Sequence, residues 1–304
     1  MRHPFALSRR GFLQASAALA AVGRGPASRG LLAAAPRSGP PPEPPPAFPV
    51  GIQVAPQVYR NWSGETRVPG VWTATPRTPE DIVLLANWAH AHGWRLRPKG
   101  MSHGWSPLLL PHGTPPAGYL LVDGTRHLTA WQIEQSSEPA SIRAQTGITL
   151  DVLLEQLGRA GLGFAATPAV GDVTLGGVLA VAGHGAALAV LGEQRLPGMS
   201  YGSLSNAVLE LTAVVWEPWA GRYRLRSFRR GDPAIQPLLV HAGRAFITEA
   251  VLQVVPDRSL RCRSFTDIPV AELFAAPAKA GDRSFQNWIR LHGRAEAIWF
   301  PFTE

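Results

Sequence analysis

Three observations predict a mixed α and β fold holding one large domain or two moderate ones. A proline-rich stretch sets off roughly the first fifty residues. Helix-period segments with clear start and stop residues follow it. Short apolar runs, punctuated by glycine and proline, lie between those segments. With 304 residues, 45% hydrophobic and 16% charged, the chain has ample apolar material for a core.

Taken in order, the first element is an address. The segment "SRRGFLQ" at 8–14 is a twin-arginine signature, followed by the apolar "ASAALAAV" and, later, by "LAAAP" with a small-residue cleavage site near Ala35. The apolar run is too short to cross a membrane. Residues 1–35 are therefore expected to be a signal peptide read by the twin-arginine export machinery, giving a periplasmic or extracellular location. That route carries folded proteins, which hints at a cofactor inserted beforehand. The alternative is an ordinary basic arm, favoured by "GRGPASRG" interrupting the leader. Cys262 is the only cysteine, so no disulfide forms within the chain.

The net charge of +8 comes mostly from this leader. Arg2, Arg9, Arg10, Arg24, Arg29 and Arg37 all precede the first acid, Glu43, and without them the balance falls to about +2. A nucleic-acid surface therefore has little support. Residues 36–59 are expected to be a linker, because "PRSGPPPEPPPAFP" cannot build a helix or an inner strand. Folding is expected to begin near residue 50.

Next comes "TPEDIVLLANWAHAHG". Thr78 is the N-cap, Pro79 takes the first helical position, and Glu80 and Asp81 suit the first turn. Ile82, Leu85, Ala86 and Ala89 form an inward stripe, and Gly93 is the stop. The segments "WRLRP", "GYLLVDG" and "SIRAQTG" predict strands. "TLDVLLEQLGRAG" predicts a second helix capped by Thr149 and closed by Gly161. "AVLELTAVVW" and "RYRLRSF" predict a hairpin turning at "EPWAG", and "FITEAVLQVVP" predicts a third strand of that group.

The chemistry centres on "GMSHG" at 100–104, which fits G-x-S-x-G. A serine nucleophile at Ser102 would need a helix directly after it, but Pro107 and Pro111 stand where that helix would run. Without the helix, Ser102 lacks backbone donors for an oxyanion. A glycine loop leaving a strand without a helix presents successive amides to an anion such as a diphosphate. A second glycine-rich stretch, "GDVTLGGVLAVAGHG", includes Thr174, Gly176, Gly177, Gly183, His184 and Gly185. Its glycines would let backbone lie against a large planar or phosphorylated ligand. The only G-x-G-x-x-A match, starting at Gly161, follows a helix rather than joining strand to helix, so a Rossmann site is not expected. His90 and His92 stand two apart and do not share a helix face, so no metal site is expected. The tryptophans read as core or interface residues.

These residues also carry a resemblance. In order and spacing, "RPKGMSHGW", "TPAVGDVTLGGVLAVAGHG", "YGSLSNAVLELTAVVW" and "GRAFITEAVLQVVP" resemble the FAD-binding domain of vanillyl-alcohol-oxidase-type flavoproteins. "KGMSHGWSPL" and "GRAEAIWFPFTE" look more narrowly like the bacterial cholesterol oxidases whose flavin is covalently attached. The resemblance covers roughly residues 60–304. It implies an α+β, two-lobed FAD-binding domain over 60–262, with lobes at about 60–160 and 161–262 and the cofactor between them. Residues 263–304 would begin a substrate-binding domain that is incomplete here.

By the same resemblance, His103 bonds covalently to the 8α carbon of the flavin. Pro98, Lys99, Gly100, Met101 and Ser102 form the diphosphate loop. Thr174, Gly176 and Gly177, with Gly183, His184 and Gly185, form a second wall, although His184 reads equally well as a turn residue. Ser203 and Asn206 lie nearby, and the backbone of Ile247 and Thr248 meets the adenine region. Glu296 is the candidate active-site carboxylate. The implied reaction is oxidation of a sterol or other hydrophobic secondary alcohol, with hydride passing to FAD and electrons then to dioxygen, giving hydrogen peroxide. A non-catalytic FAD-binding fragment and a serine hydrolase using Ser102 remain the alternatives, and the oligomeric state is left open.

Overall fold

The computed structural model describes residues 43–110, 117–190, 192–195, 199 and 201–300. The expected signal peptide at 1–35 and the start of the linker lie outside the described residues. In chain order the strands and helices are β1 (Gln53–Arg60), β2 (Arg67–Thr75), α1 (Pro79–His92), β3 (Arg95–Lys99), β4 (Tyr119–Asp123), β5 (Trp131–Glu134), β6 (Ser141–Gln145), α2 (Leu150–Arg159), β7 (Leu162–Gly163), α3 (Leu175–Ala180), β8 (Val208–Glu217), β9 (Arg222–Arg229), α4 (Gln236–Leu239), β10 (Phe246–Gln253), β11 (Val255–Pro256), α5 (Val270–Leu273) and α6 (Phe285–His292). Among the described residues no helix is long and apolar enough to cross a membrane.

Two sheets organise the chain. The first has the order β1-β2-β4-β3, with β1 antiparallel to β2 and β4 parallel to both of its neighbours. The second has the order β5-β6-β10-β8-β9 and is antiparallel throughout. The first helix forms as its local signals dictate. Thr78 and Asp81 close a capping box, Ile82, Leu85, Ala86, Trp88 and Ala89 are buried, and Gly93 stops the helix at φ 70°.

Two expectations need correction. The 36–59 linker gives way early to structure: β1 starts at Gln53, and the indoles of Trp72 and Trp88 donate to the carbonyls of Glu43 and Pro46 at 2.8 and 2.9 Å. The division between lobes falls between Asp123 and Trp131, not near residue 160. Strand β6 pairs with β10 about a hundred residues later, and Leu150, Leu153 and Leu157 of α2 pack into the core of the second sheet. Local pattern carries no signal for a pairing that distant.

The second helix also differs in its start. Thr149 makes no side-chain cap. The free amides of Leu150 and Asp151 donate instead to the carbonyls of Val173 and Gly171, at 2.8 and 2.9 Å. This pins the second glycine-rich stretch along the first turn of α2. The predicted hairpin forms as read, with β8 and β9 joined through a short turn at Pro218–Ala220 and Gly221 at φ 57°.

The sheets are joined firmly. Asn87 of α1 accepts from the Tyr223 amide at 2.8 Å and donates to the Tyr223 carbonyl at 3.1 Å, so a helix on the first sheet grips the edge strand of the second. Val214, Tyr223, Leu225 and Phe246 of the second sheet add to the core around α1.

Candidate cofactor site

Strand β3 delivers the 99–104 loop to the junction of the two sheets. The Lys99 ammonium is held by Asp123, whose other oxygen accepts from the amide and hydroxyl of Thr125 at 3.1 and 2.6 Å. Lys99 thus fixes the loop's root through its side chain. Among the described residues, which here run to Leu110, no helix follows the loop. Ser102 sits at φ 57°, a left-handed conformation uncommon for a residue with a β-carbon. Its side chain bonds to Tyr59, whose phenol is pushed above its ordinary value by burial and pulled partly back by that bond.

The loop is gripped from beneath by the β1–β2 turn. The Trp62 amide donates to the Ser102 carbonyl at 2.9 Å, and the buried Asn61 amide group donates to the carbonyls of Gly104 and Trp105 at 3.2 and 3.1 Å. His103 lies between these anchors. Its ring stacks on Trp62 at 5.3 Å between centroids, and its Nε2 stands 4.0 Å from a carboxylate oxygen of Asp172. Nothing in the spacing of Asn61, Trp62 or Asp172 marked them beforehand. Asp172 lay inside the "GDVTLGG" stretch, where the glycines drew the attention.

The two glycine-rich stretches meet. A β-carbon on Gly100 would lie 2.4 Å from the Thr174 hydroxyl, so Gly100 is required for this contact. At the start of the second stretch the backbone amides are bonded within the protein. Those of Leu175, Gly176 and Gly177 are already bonded to Ile148 O, Thr146 O and Thr174 Oγ1, at 2.8, 2.9 and 3.1 Å. The start of α3 therefore has little to offer an anion. Gly176, Gly183 and Gly185 permit close packing against Thr146, Val178 and Thr167. By contrast, the amides of Met101, Ser102, His103 and Gly104 donate to no other described residue.

The remaining sequence candidates fall into two groups. His184 is exposed, bonds the Gly185 carbonyl through Nδ1 at 3.2 Å, and forms an antiparallel bridge with Ser203. Ser203 caps a short turn through the Ser205 amide, and the Asn206 side chain donates to Tyr201 O at 3.0 Å. Ile247 and Thr248 sit at an irregularity in β10, where the Thr146 hydroxyl and amide donate to their carbonyls at 2.5 and 3.0 Å. Both residues are buried in the second sheet. Glu296 does not join them: it is exposed, and no hydrogen bond or ion pair ties it to the 99–104 loop among the described residues.

Four non-glycine residues among the described ones are in the left-handed region, Ala47 at φ 45° and then Ser102, Ala182 and Ala242 at φ 57°, 55° and 49°; the last three concern the junction. They lie close in the fold, since the Ala242 amide donates to Ala180 O at 2.7 Å and Gly100 abuts Thr174. The Arg97 Nε is buried without a partner among the described residues, and burial followed by the Arg244 guanidinium lowers the Arg97 pKa. Free loop amides and cationic side chains suit an anionic ligand such as a diphosphate.

Comparison with known proteins decides which ligand this is. A family model for an FAD binding domain matches residues 72–196, and a model described as "Cholesterol oxidase, substrate-binding" matches residues 259–304. A solvent-stable cholesterol oxidase is 50% identical with a TM-score of 0.83, covering 86% of this chain and 48% of its own. A cholesterol oxidase from Brevibacterium sterolicum is 44% identical with a TM-score of 0.84, covering 88% of this chain and 49% of its own. The chain belongs to the cholesterol-oxidase type of FAD-binding flavoproteins. It spans about half the length of these solved relatives. No curated protein sequence matches it.

Within this family the residues at the junction fit FAD. The unbonded amides of Met101 to Gly104 suit its diphosphate.

Proposed function

We propose that the chain forms the cofactor-holding part of an alcohol oxidase in which FAD is bound covalently through His103. The substrate is a sterol or another hydrophobic secondary alcohol. Bound FAD supplies the redox chemistry, taking hydride from the alcohol and passing electrons to dioxygen to give hydrogen peroxide. Pro98 to Ser102 form the diphosphate loop, in which Met101 and Ser102 supply free amides. Thr174, Gly176, Gly177, Gly183, His184 and Gly185 back the second wall, with Ser203 and Asn206 beside them and Ile247 and Thr248 toward the adenine. Glu296 belongs to the substrate side as a carboxylate that moves a proton. The twin-arginine leader places the mature protein in the periplasm or outside the cell.

One observation carries this reading: His103 is set among loop amides free of partners among the described residues, stacks on Trp62, and has the Asp172 carboxylate 4.0 Å from its Nε2. A neutral imidazole so placed is a competent nucleophile toward the flavin 8α carbon. The serine hydrolase alternative loses ground because the Ser102 side chain bonds Tyr59 and no helix begins after it among the described residues to Leu110.

The test is incubation of the purified protein with FAD, acid precipitation and an absorbance scan of the washed, unfolded pellet. The wild type is expected to stay yellow. His103→Ala is expected to bind FAD reversibly and give a colourless pellet. A colourless wild-type pellet, or a yellow His103→Ala pellet, would overturn the assignment.

A further inference from the structure

We propose that Asp172 is the proton acceptor that activates His103 for its attachment to flavin, an inference that rests on the covalent reading above. The carboxylate oxygen stands 4.0 Å from Nε2, and the Asp172 side chain is 67% exposed. Apo hydrogen bonds to a catalytic base are commonly long and tighten when the reactant is bound. Among the described residues, the Asp172 carboxylate bonds no other side chain, so this charge does not hold the fold together.

Its placement is nevertheless fixed. Gly171 on one side and Val173 on the other give their carbonyls to the first turn of α2, so the backbone at 172 is pinned from both directions. Gly171 packs so closely that a β-carbon there would lie 2.9 Å from the Asp151 Cβ. The partner ring is fixed as well, by the Trp62 stack and by the Asn61 and Trp62 bonds to the backbone on either side of His103. Two separately anchored loops therefore bring a carboxylate to one nitrogen of an imidazole whose plane is already set.

The chemistry balances as follows. A carboxylate facing Nε2 favours the tautomer with its proton there, which leaves the lone pair on Nδ1. As the bond from Nδ1 to the 8α carbon forms, a C–H bond of the flavin methyl breaks and its proton leaves to solvent. The Nε2 proton passes to Asp172. The two electrons of the broken C–H bond remain in the ring until dioxygen takes them with two protons, giving hydrogen peroxide.

The experiment follows covalent flavin over time after FAD is added to apoprotein, by intact mass and by the flavin fluorescence of denatured protein. Reversible FAD affinity and melting temperature are measured in parallel. Asp172→Ala is expected to slow attachment by about 100-fold, the lower end of the range for general-base catalysis because the group is exposed. Added formate is expected to restore much of the rate, and Asp172→Glu to retain part of it. Attachment by Asp172→Ala at the wild-type rate would sink the inference and leave covalent attachment standing. A slow variant rescued by neither formate nor glutamate would show a structural role and also overturn it. Wild-type protein without covalent flavin would remove both readings.

Discussion

His241 offers a measurable dependence of stability on pH. Its residue is 9% exposed, its Nε2 has no hydrogen-bond partner among the described residues, and its Nδ1 accepts only a long 3.4 Å bond from the Ala245 amide. Burial pushes its pKa from 6.5 down to about 4. The unfolded chain therefore takes up a proton on this ring near pH 6.5, while the folded chain resists until about pH 4. Stability from this group is complete above pH 6.5 and is lost as pH falls through the window down to about 4. At 1.36 kcal/mol per pKa unit, the loss is about 3 kcal/mol. Urea unfolding followed by tryptophan fluorescence, at steps from pH 7 to 4, measures it against His241→Gln. Other groups titrate alike in both proteins, so the wild type should lose about 3 kcal/mol relative to the variant across that window. Parallel stability curves would refute the reasoning.

Two further substitutions test how the loops are held. Asn61→Ala removes the donor to Gly104 O and Trp105 O and the acceptor for the Thr66 amide, all at a buried position. It should cost about 2–3 kcal/mol and slow flavin attachment, since His103 loses its lower anchor; an unchanged melting temperature would count against the clamp. Gly185→Ala places a β-carbon 2.4 Å from the Thr167 carbonyl, a backbone atom that cannot swing away. About 1–3 kcal/mol of destabilisation is expected in thermal unfolding, whether or not FAD is present.

What could be read in advance was what is decided locally. The α1 boundaries follow from Thr78, Asp81 and Gly93, which act within a turn of the backbone they terminate. The β8–β9 hairpin follows from its proline and glycine turn. The division between lobes was hidden because it depends on β6 finding β10 across the whole of α2 and β8. Thr149 looked like a cap, but its work is done by carbonyls from a loop some twenty residues on. The second glycine stretch was half legible. Its glycines do mark close backbone approach, yet Gly176, Gly183 and Gly185 approach the protein itself. Asn61 and Asp172 gave no signal, because a lone polar residue in a loop acquires meaning only from what the fold sets opposite it.

The two hydrogen bonds between the Asn87 side chain and the backbone N–H and C=O of Tyr223, reinforced by the shared apolar packing around α1, lock the two sheets into one unit. A hinge that parts the halves would break that bidentate grip and expose the packed interior behind it. The two sheets therefore share one interior, and melting of either is expected to carry the other with it in a single cooperative transition.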